Sequence, residues 1–191
     1  MTFSEFPDLE TERLQLRRMT LDDAASLFDI LANSDVTRDM GIEPFVNVGQ
    51  AEGLIRFMND LFEQNIAFRC GIFRKDNNAL MGTCGYNGWE TNRGSRGEIA
   101  YDLGKAYWRR GYATEAVEAL IKFGFETMRI YRIEAFTNLD ATPSIRLLRK
   151  LGFQEDGILR GYANFHGEFW DQRCFSLIRK DRSFKIKECQ R

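Results

Sequence analysis

The sequence predicts a single mixed α/β domain, in which helices pack on a mixed, mostly antiparallel sheet of about seven strands. The chain has 191 residues, of which 43% are hydrophobic and 13% aromatic, enough for one full core. Its apolar residues recur with a period of two residues in some segments, which is typical of strands, and of 3.6 residues in others, which is typical of helices. The segments follow in the order β-α-α-β-β-β-α-β-α-β-β. Only three prolines and no low-complexity linker occur. We therefore expect one domain over residues 1–191, with its core at about residues 8–182.

The first third of the chain predicts a strand followed by two helices. Leu14 and Leu16 alternate with polar neighbours, as in a half-buried strand. Thr20 then has the position of a helix N-cap, with acidic residues in the first turn and an apolar stripe that includes Leu27 and Leu31. The segment "VGQAEGLIRFMNDLFEQN" predicts the second helix.

The middle of the chain predicts an antiparallel meander, and the last third alternates between helix and strand. From Ala67 the segments "AFRCGIF", "ALMGTCGYNGW" and "RGEIAYDL" have strand periodicity and are separated by turn-like residues. A helix follows after Gly111, then the short strand "RIEAF" and a helix that ends at Gly152. Two strands complete the prediction, ending near Ile178.

Composition and charge exclude several classes of protein. A net charge of -1 and a pI near 6.0 provide no basic surface for nucleic acid. The start "MTFSEFPDLETERL" does not resemble a signal peptide, and no apolar run is long enough to span a bilayer. The four cysteines form no CxxC pair and there is one histidine, which argues against a disulfide framework or a metal site. A cytoplasmic protein without membrane or nucleic-acid partners is expected.

The stretch "YWRRGYATEA" predicts an anion site. The start of a helix carries unpaired N–H groups and positive partial charge, so it favours phosphates. Here Gly111 would let the backbone approach an anion, and Arg109 and Arg110 would add charge-assisted hydrogen bonds. The spacing from Gly104 to Gly111 does not match a P-loop. Two solvated arginines beside a helix-start glycine remain the alternative.

This stretch resembles the acyl-CoA-binding loop of the GNAT family of N-acetyltransferases, whose form is Q/R-x-x-G-x-G/A. Gly111 and Ala113 occupy the last two of those positions, and Trp108 stands where the family has Gln or Arg. A tryptophan at this position resembles the RimJ/RimL-type branch of the family, which acetylates the N-termini of ribosomal proteins. That branch is also resembled at "TERLQLR", "GEIAYDL", "SIRLLRKLGF" and "GILRGYANFHGEFWDQRCFSL". The motifs occur in the family's order over nearly the whole chain.

The resemblance implies the GNAT fold, with helices on both faces of the sheet and acetyl-CoA as co-substrate without a metal. In that family the strand before the loop splays from the next one, and the pantetheine arm lies in the gap. Here these strands would be "EIAYDL" and "RIEAF", and Leu103 would supply main-chain contacts. The residues expected to hold the pyrophosphate are Arg109, Arg110, Gly111, Tyr112, Ala113 and Thr114.

Two residues are candidates for proton transfer, because an ammonium must lose a proton before it attacks a thioester and the thiolate must gain one. Glu98 has the position of a glutamate base in some branches of the family; a structural carboxylate is the alternative. Ser144 has the position of a family serine near the cofactor sulfur, where it would contact the cofactor and donate to the thiolate. A helix cap is its alternative.

Four further residues bear on this assignment. Ala141 stands three residues before Ser144, where the family commonly has an asparagine that contacts pantetheine, while Asn138 lies three residues earlier. His166 is expected to be a solvated imidazole in a turn rather than a base. Cys84, in a Gly-rich strand, is expected to pack in the core rather than to form an acyl-enzyme.

We therefore expect an N-acetyltransferase that transfers the acetyl group directly to a primary amine in a ternary complex. A protein or peptide N-terminus is the leading acceptor. A small amine such as a polyamine, an amino acid or an antibiotic is the alternative, and a non-catalytic acyl-CoA-binding module is a third. The acceptor is expected to lie between the 35–48 region and the terminal hairpin, beside the aromatic residues Phe45, Tyr162, Phe165 and Trp170, for which core packing is the equal alternative. The sequence leaves open whether the protein forms a homodimer.

Overall fold

The computed structural model describes residues 3–92, 94–165 and 167–182. In these parts of the chain the strands are β1 Leu9–Glu10, β2 Leu14–Arg17, β3 Phe68–Arg74, β4 Leu80–Glu90, β5 Arg96–Leu103, β6 Arg132–Asn138, β7 Gln154–Phe165 and β8 Glu168–Ile178. The α-helices are α1 Ala24–Leu31, α2 Ser34–Thr37, α3 Val48–Glu63, α4 Tyr112–Glu126 and α5 Thr142–Lys150. Short 3-10 turns precede α1, follow α2 and follow β5.

The strands form one sheet in the order β1-β2-β3-β4-β5-β6-β8-β7. Neighbouring strands are antiparallel except β5 and β6, which are parallel. These two strands are joined by α4, because a parallel connection needs a crossover segment. The predicted mixed, mostly antiparallel sheet is confirmed, with eight strands rather than about seven.

Helices cover both faces of the sheet. Consecutive strand residues point to opposite faces, and Ile72 and Phe73 accordingly belong to two different core clusters. The cluster of Phe73 includes Ile55 of α3, together with residues of α1 and α2. The cluster of Ile72 includes Leu120 of α4 and Leu148 of α5. We call these the α1–α3 face and the α4–α5 face.

The differences from the predicted order are small elements near the N-terminus. β1 is two residues long and pairs Leu9 with Leu16, too short for a periodic pattern. Thr20 is an N-cap as predicted, but it begins a 3-10 turn in which Asp23 accepts from the Thr20 backbone, and α1 follows. Among the described helices, none has both the length and the apolar character that a membrane span requires.

Candidate active site

Two central strands separate in the middle of the sheet. β5 and β6 pair over three positions, the last of which joins Glu98 to Glu134. Beyond that point β5 continues to Leu103 and β6 to Asn138 without pairing to each other. Main-chain N–H and C=O groups on these facing edges need hydrogen-bond partners. The predicted splay is confirmed, and its vertex lies at Glu98 and Glu134.

The loop between β5 and α4 ends at an uncapped helix start. Gly111 is the N-cap residue of α4 and has φ 83°, in the left-handed region that glycine adopts without strain. No described side chain caps this helix. Arg109, with φ 60°, and Arg110 are both exposed, and neither guanidinium has an ion-pair partner among the described residues. The loop therefore presents unpaired positive charge beside the N–H groups of the first helical turn.

The three residues after Gly111 contribute differently to this helix start. The Tyr112 ring is buried at 9% exposure, while Ala113 and Thr114 are half-buried. Tyr112 belongs to the core cluster, and its main-chain N–H is one of the groups that the helix start offers to an anion. Assignment of these residues to a bound pyrophosphate stays a prediction.

A contact from the N-terminal segment holds this loop, and sequence reasoning missed it. Arg13 Nη1 donates to the Arg110 carbonyl over 3.2 Å, and its guanidinium lies 4.5 Å from the centre of the Tyr112 ring. Glu115, in the first turn of α4, accepts from Thr11 Oγ1 and from Arg13 N and Nε. Burial opposes ionisation of Glu115, but these bonds hold its pKa below the usual value. The available signal was "TERL" itself, which contains both Thr11 and Arg13.

Trp108 links the loop to the end of β5. Its Nε1 donates to the Leu103 carbonyl over 2.6 Å, while 39% of the residue stays exposed. Lys105 Nζ, in the preceding 3-10 turn, donates to Asp35 at 2.5 Å. One lone pair of the Leu103 carbonyl is thus engaged, and the other remains for the main-chain contact expected there.

Glu98 lies on the α1–α3 face at the vertex of the splay. It is half-buried, and Asn87 Nδ2 donates to its Oε1 over 2.9 Å. Across the sheet, Glu134 accepts from Arg132 Nε over 2.6 Å. Glu134 was not singled out from the sequence, because the parallel register that places it opposite Glu98 depends on the crossover. Two carboxylates thus stand side by side, and one of them is ion-paired.

Ser144 meets a tyrosine on the α4–α5 face. Its Oγ lies 2.6 Å from the hydroxyl of Tyr101, and either oxygen can be the donor. Burial raises the pKa of Tyr101 to about 12, although the bond to Ser144 opposes the increase. The phenol is therefore a neutral donor at physiological pH. Tyr101 lies three residues after Glu98 on β5, so the two side chains point to opposite faces.

The family asparagine has no replacement at the start of α5. Ala141 is the N-cap residue of α5 and makes no side-chain cap. Asn138 lies on β6, where its side chain is buried and Nδ2 donates to the Asp39 carbonyl at 3.4 Å. Asn138 therefore belongs to the strand end rather than to the helix that carries Ser144.

The remaining candidates lie elsewhere or outside the described residues. Cys84 is fully buried, and burial raises the pKa of its thiol to about 12, which disfavours a nucleophilic thiolate. His166 lies outside the described residues. Within the described ranges no group of three or more His, Cys, Asp or Glu side chains is arranged to hold a metal ion.

The aromatic residues expected near the acceptor have different environments. Phe45 packs against the core cluster of the α1–α3 face. Phe165 and Trp170 contact each other edge to face at 5.0 Å, and Tyr162 packs on Phe136 of β6 at 4.9 Å. The hairpin residue Tyr162 is 52% exposed, so the hairpin offers aromatic surface beside the splay.

A family model and individual relatives indicate the same protein family. The acetyltransferase (GNAT) domain model matches residues 13–154. An uncharacterised N-acetyltransferase, p20 of Bacillus licheniformis, is 43% identical over 173 residues, which cover 91% of this chain and 97% of the relative. The [ribosomal protein uS5]-alanine N-acetyltransferase of Escherichia coli is 25% identical over 180 residues, 91% of each chain.

A solved structure supports the same fold. RimL, a ribosomal L7/L12 alpha-N-protein acetyltransferase in complex with coenzyme A, has a TM-score of 0.77 and 16% identity. The match covers 90% of this chain and 98% of that protein. At this identity the likeness concerns the fold.

Proposed function

This chain belongs to the acetyltransferase (GNAT) family, whose members use acetyl-CoA, and we propose that the amine it acetylates is the N-terminus of a protein or peptide. In this proposal the enzyme acts as a single domain in the cytoplasm, where newly made ribosomal proteins are available as acceptors. The enzyme class follows from the family.

The observation that carries the proposed acetyl-CoA site is the splay that ends at an uncapped helix. The facing edges of β5 and β6 offer main-chain groups to an extended amide-bearing arm. At the end of β5, the left-handed Gly111 and the exposed Arg109 and Arg110 suit a pyrophosphate. These residues fit acetyl-CoA, which supplies an acetyl group activated as a thioester.

The proposed proton transfers occur on opposite faces of the sheet. On the α1–α3 face Glu98 would accept a proton from the substrate ammonium, directly or through water, so that the amine nitrogen can bond to the acetyl carbon. On the α4–α5 face Ser144 would donate a proton to sulfur as the carbon–sulfur bond breaks. Ser144 would regain a proton from Tyr101, whose raised pKa keeps the phenol protonated beforehand, and solvent would return a proton to Tyr101. The second proton of the acetylated nitrogen would pass to water as the tetrahedral intermediate collapses, which leaves the amide and CoA as products.

The charges near the expected acceptor region favour a peptide over a polyamine. Of the acidic residues in the 35–52 stretch, Asp35 pairs with Lys105 at 2.5 Å and Glu52 pairs with Arg56 at 3.2 Å. The hydrogen bond from Lys105 lowers the pKa of Asp35. Asp39 also lies 3.6 Å from Arg38. Carboxylates that already have cationic partners are poor ligands for the several ammonium groups of a polyamine. A peptide N-terminus carries a single amine and does not need such a cluster of free carboxylates.

A panel of acceptors tests the proposal. Short peptides with a free N-terminus should release CoA from acetyl-CoA, and the same peptides with a blocked N-terminus should not, even when they contain lysine. Spermidine is the matched small-amine acceptor. Strong turnover of spermidine with none on any peptide would reverse the assignment and favour the small-amine alternative.

A further inference from the structure

Asn87 lies where β4 bulges beside Glu98. The register between β4 and β5 shifts between Tyr86 and Gly88, which makes Asn87 the extra residue of the bulge. Bulges re-aim side chains next to functional sites. Here the exposed Asn87 donates its Nδ2 hydrogen to Glu98 Oε1. Within the described part of the chain, no other side chain hydrogen-bonds to Glu98, and Glu98 forms no ion pair.

The orientation of the Asn87 amide is set from both sides. Arg69 Nη1 donates to Asn87 Oδ1 over 3.2 Å. A guanidinium only donates and a carboxylate only accepts, so the amide oxygen must face Arg69 and the NH₂ group must face Glu98. The positive charge of Arg69 also polarises the amide, which strengthens its bond to the carboxylate.

Arg69 is itself held by buried groups. Its Nη2 pairs with Asp102 Oδ2 at 2.8 Å, and the Asp102 side chain is 3% exposed. Its Nε donates to Thr83 Oγ1 over 2.7 Å, and Thr83 N donates to Asp102 Oδ1 over 3.1 Å. Each of the three groups uses the others as partners, so Arg69 has little freedom to turn away from Asn87.

The other charged groups that face Glu98 do not replace Asn87. Glu134 lies directly across on β6 and repels Glu98, although its own charge is matched by Arg132. Tyr162 approaches from β7; burial first, and then the charges of Glu98 and Glu134, raise the pKa of its phenol. Arg96 lies on β5, the strand of Glu98, and is ion-paired with Glu90 at 3.1 Å.

We propose that Asn87 is a positioning residue for the base Glu98, held in place by the Arg69–Asp102 pair. It holds Glu98 in place beside the Glu134 carboxylate and occupies Oε1, so that Oε2 is left to accept the proton of the substrate amine. The inference rests on the proposed function, since it requires Glu98 to be the base. Among the described side chains Asn87 hydrogen-bonds to Glu98 and Arg69, and its effect reaches the reaction through Glu98.

The test is the pH dependence of kcat/KM on a peptide acceptor for Asn87→Asp and Asn87→Ala. Aspartate replaces a donor by a negative charge, so the acidic limb of the profile should move to higher pH by about one unit. Alanine removes only the donor and should move the limb less, in the same direction. Asn77→Asp is the matched control, because Asn77 lies in the β3–β4 turn, where its Oδ1 accepts from Ala79 N and an aspartate can do the same. Its profile should match the parent.

A profile for Asn87→Asp that superimposes on that of Asn77→Asp would overturn the proposal. The Glu98→Gln variant tells this failure apart from failure of the proposed base. Loss of the acidic limb in Glu98→Gln, with no movement in Asn87→Asp, leaves Glu98 as the base and removes the role of Asn87. Retention of the limb in Glu98→Gln removes both.

Discussion

Replacing Gly111 by aspartate and by asparagine separates the charge of a bound pyrophosphate from the shape of the loop that would hold it. The two side chains have nearly the same size, and both tolerate a left-handed backbone such as the φ of 83° at Gly111. A Cβ at this position would lie 3.4 Å from Arg13 Nη2, an ordinary contact. The variants therefore share their steric effect, and only aspartate adds a negative charge.

The size of the charge effect follows from Coulomb's law. Two unit charges about 4 Å apart interact by roughly 1 kcal/mol in bulk water and by roughly 4 kcal/mol at the effective dielectric of a protein surface. Gly111 is exposed, so the lower part of that range applies. We expect acetyl-CoA to bind Gly111→Asp about tenfold more weakly than Gly111→Asn, since tenfold corresponds to about 1.4 kcal/mol.

Isothermal titration calorimetry with acetyl-CoA, without an acceptor, measures this difference. The gap between the variants should narrow at high ionic strength, where salt screens exposed charges. Gly167 is the matched control: its φ is 84° and a Cβ there would meet no atom within 4 Å. Gly167→Asp and Gly167→Asn should bind acetyl-CoA alike. Equal dissociation constants for Gly111→Asp and Gly111→Asn would refute an anion at this helix start.

Two further predictions concern the pair on the α4–α5 face. Ser144→Ala should lower kcat by about 100-fold while the KM for acetyl-CoA changes little, because the lost group acts in proton transfer; a lower melting temperature with unchanged kcat would leave Ser144 only a structural role at the start of α5. The pKa of Tyr101 is raised by burial to about 12, whereas an unfolded tyrosine titrates near 10. The folded chain then binds more protons than the unfolded chain between about pH 10 and 12, so the contribution of Tyr101 to stability is complete below this window and lost across it. Urea unfolding of Tyr101→Phe should show a smaller loss of stability over the window than the parent, and equal losses would argue against a raised pKa.

Sequence patterns predicted the architecture because most long elements carry either an apolar stripe or an apolar run bounded by turn residues. Burial alternates over the first five residues of β5, whereas β3 and β4 bury consecutive residues and were recognised from the turn residues that bound them. The helix α4 follows from a stripe that includes Val117, Leu120 and Ile121. The two-residue β1 has no period to detect. Likewise the bulge at Asn87 cannot be recognised from the sequence, since it is a property of the register between two strands.

The candidate site could be predicted only where its residues are adjacent in the chain. Arg109, Arg110 and Gly111 form one short motif, and the structure places them together at the helix start. Tyr101 and Ser144 are 43 positions apart, and they meet because α5 packs on the face of the sheet to which Tyr101 points. Contacts of this kind depend on the packing of whole elements, which local patterns do not contain.

The contacts of Arg13 with the β5–α4 loop and with Glu115 limit when that loop can form during synthesis of the protein. Arg13 and Glu115 are 102 positions apart, so during translation the N-terminal segment leaves the ribosome long before its partner exists. Closing so long a segment has an entropic cost that only the finished sheet can offset. The contacts that shape the loop therefore cannot form before the first turn of α4 has been synthesised, and a chain that ends earlier lacks the shaped loop that would receive acetyl-CoA.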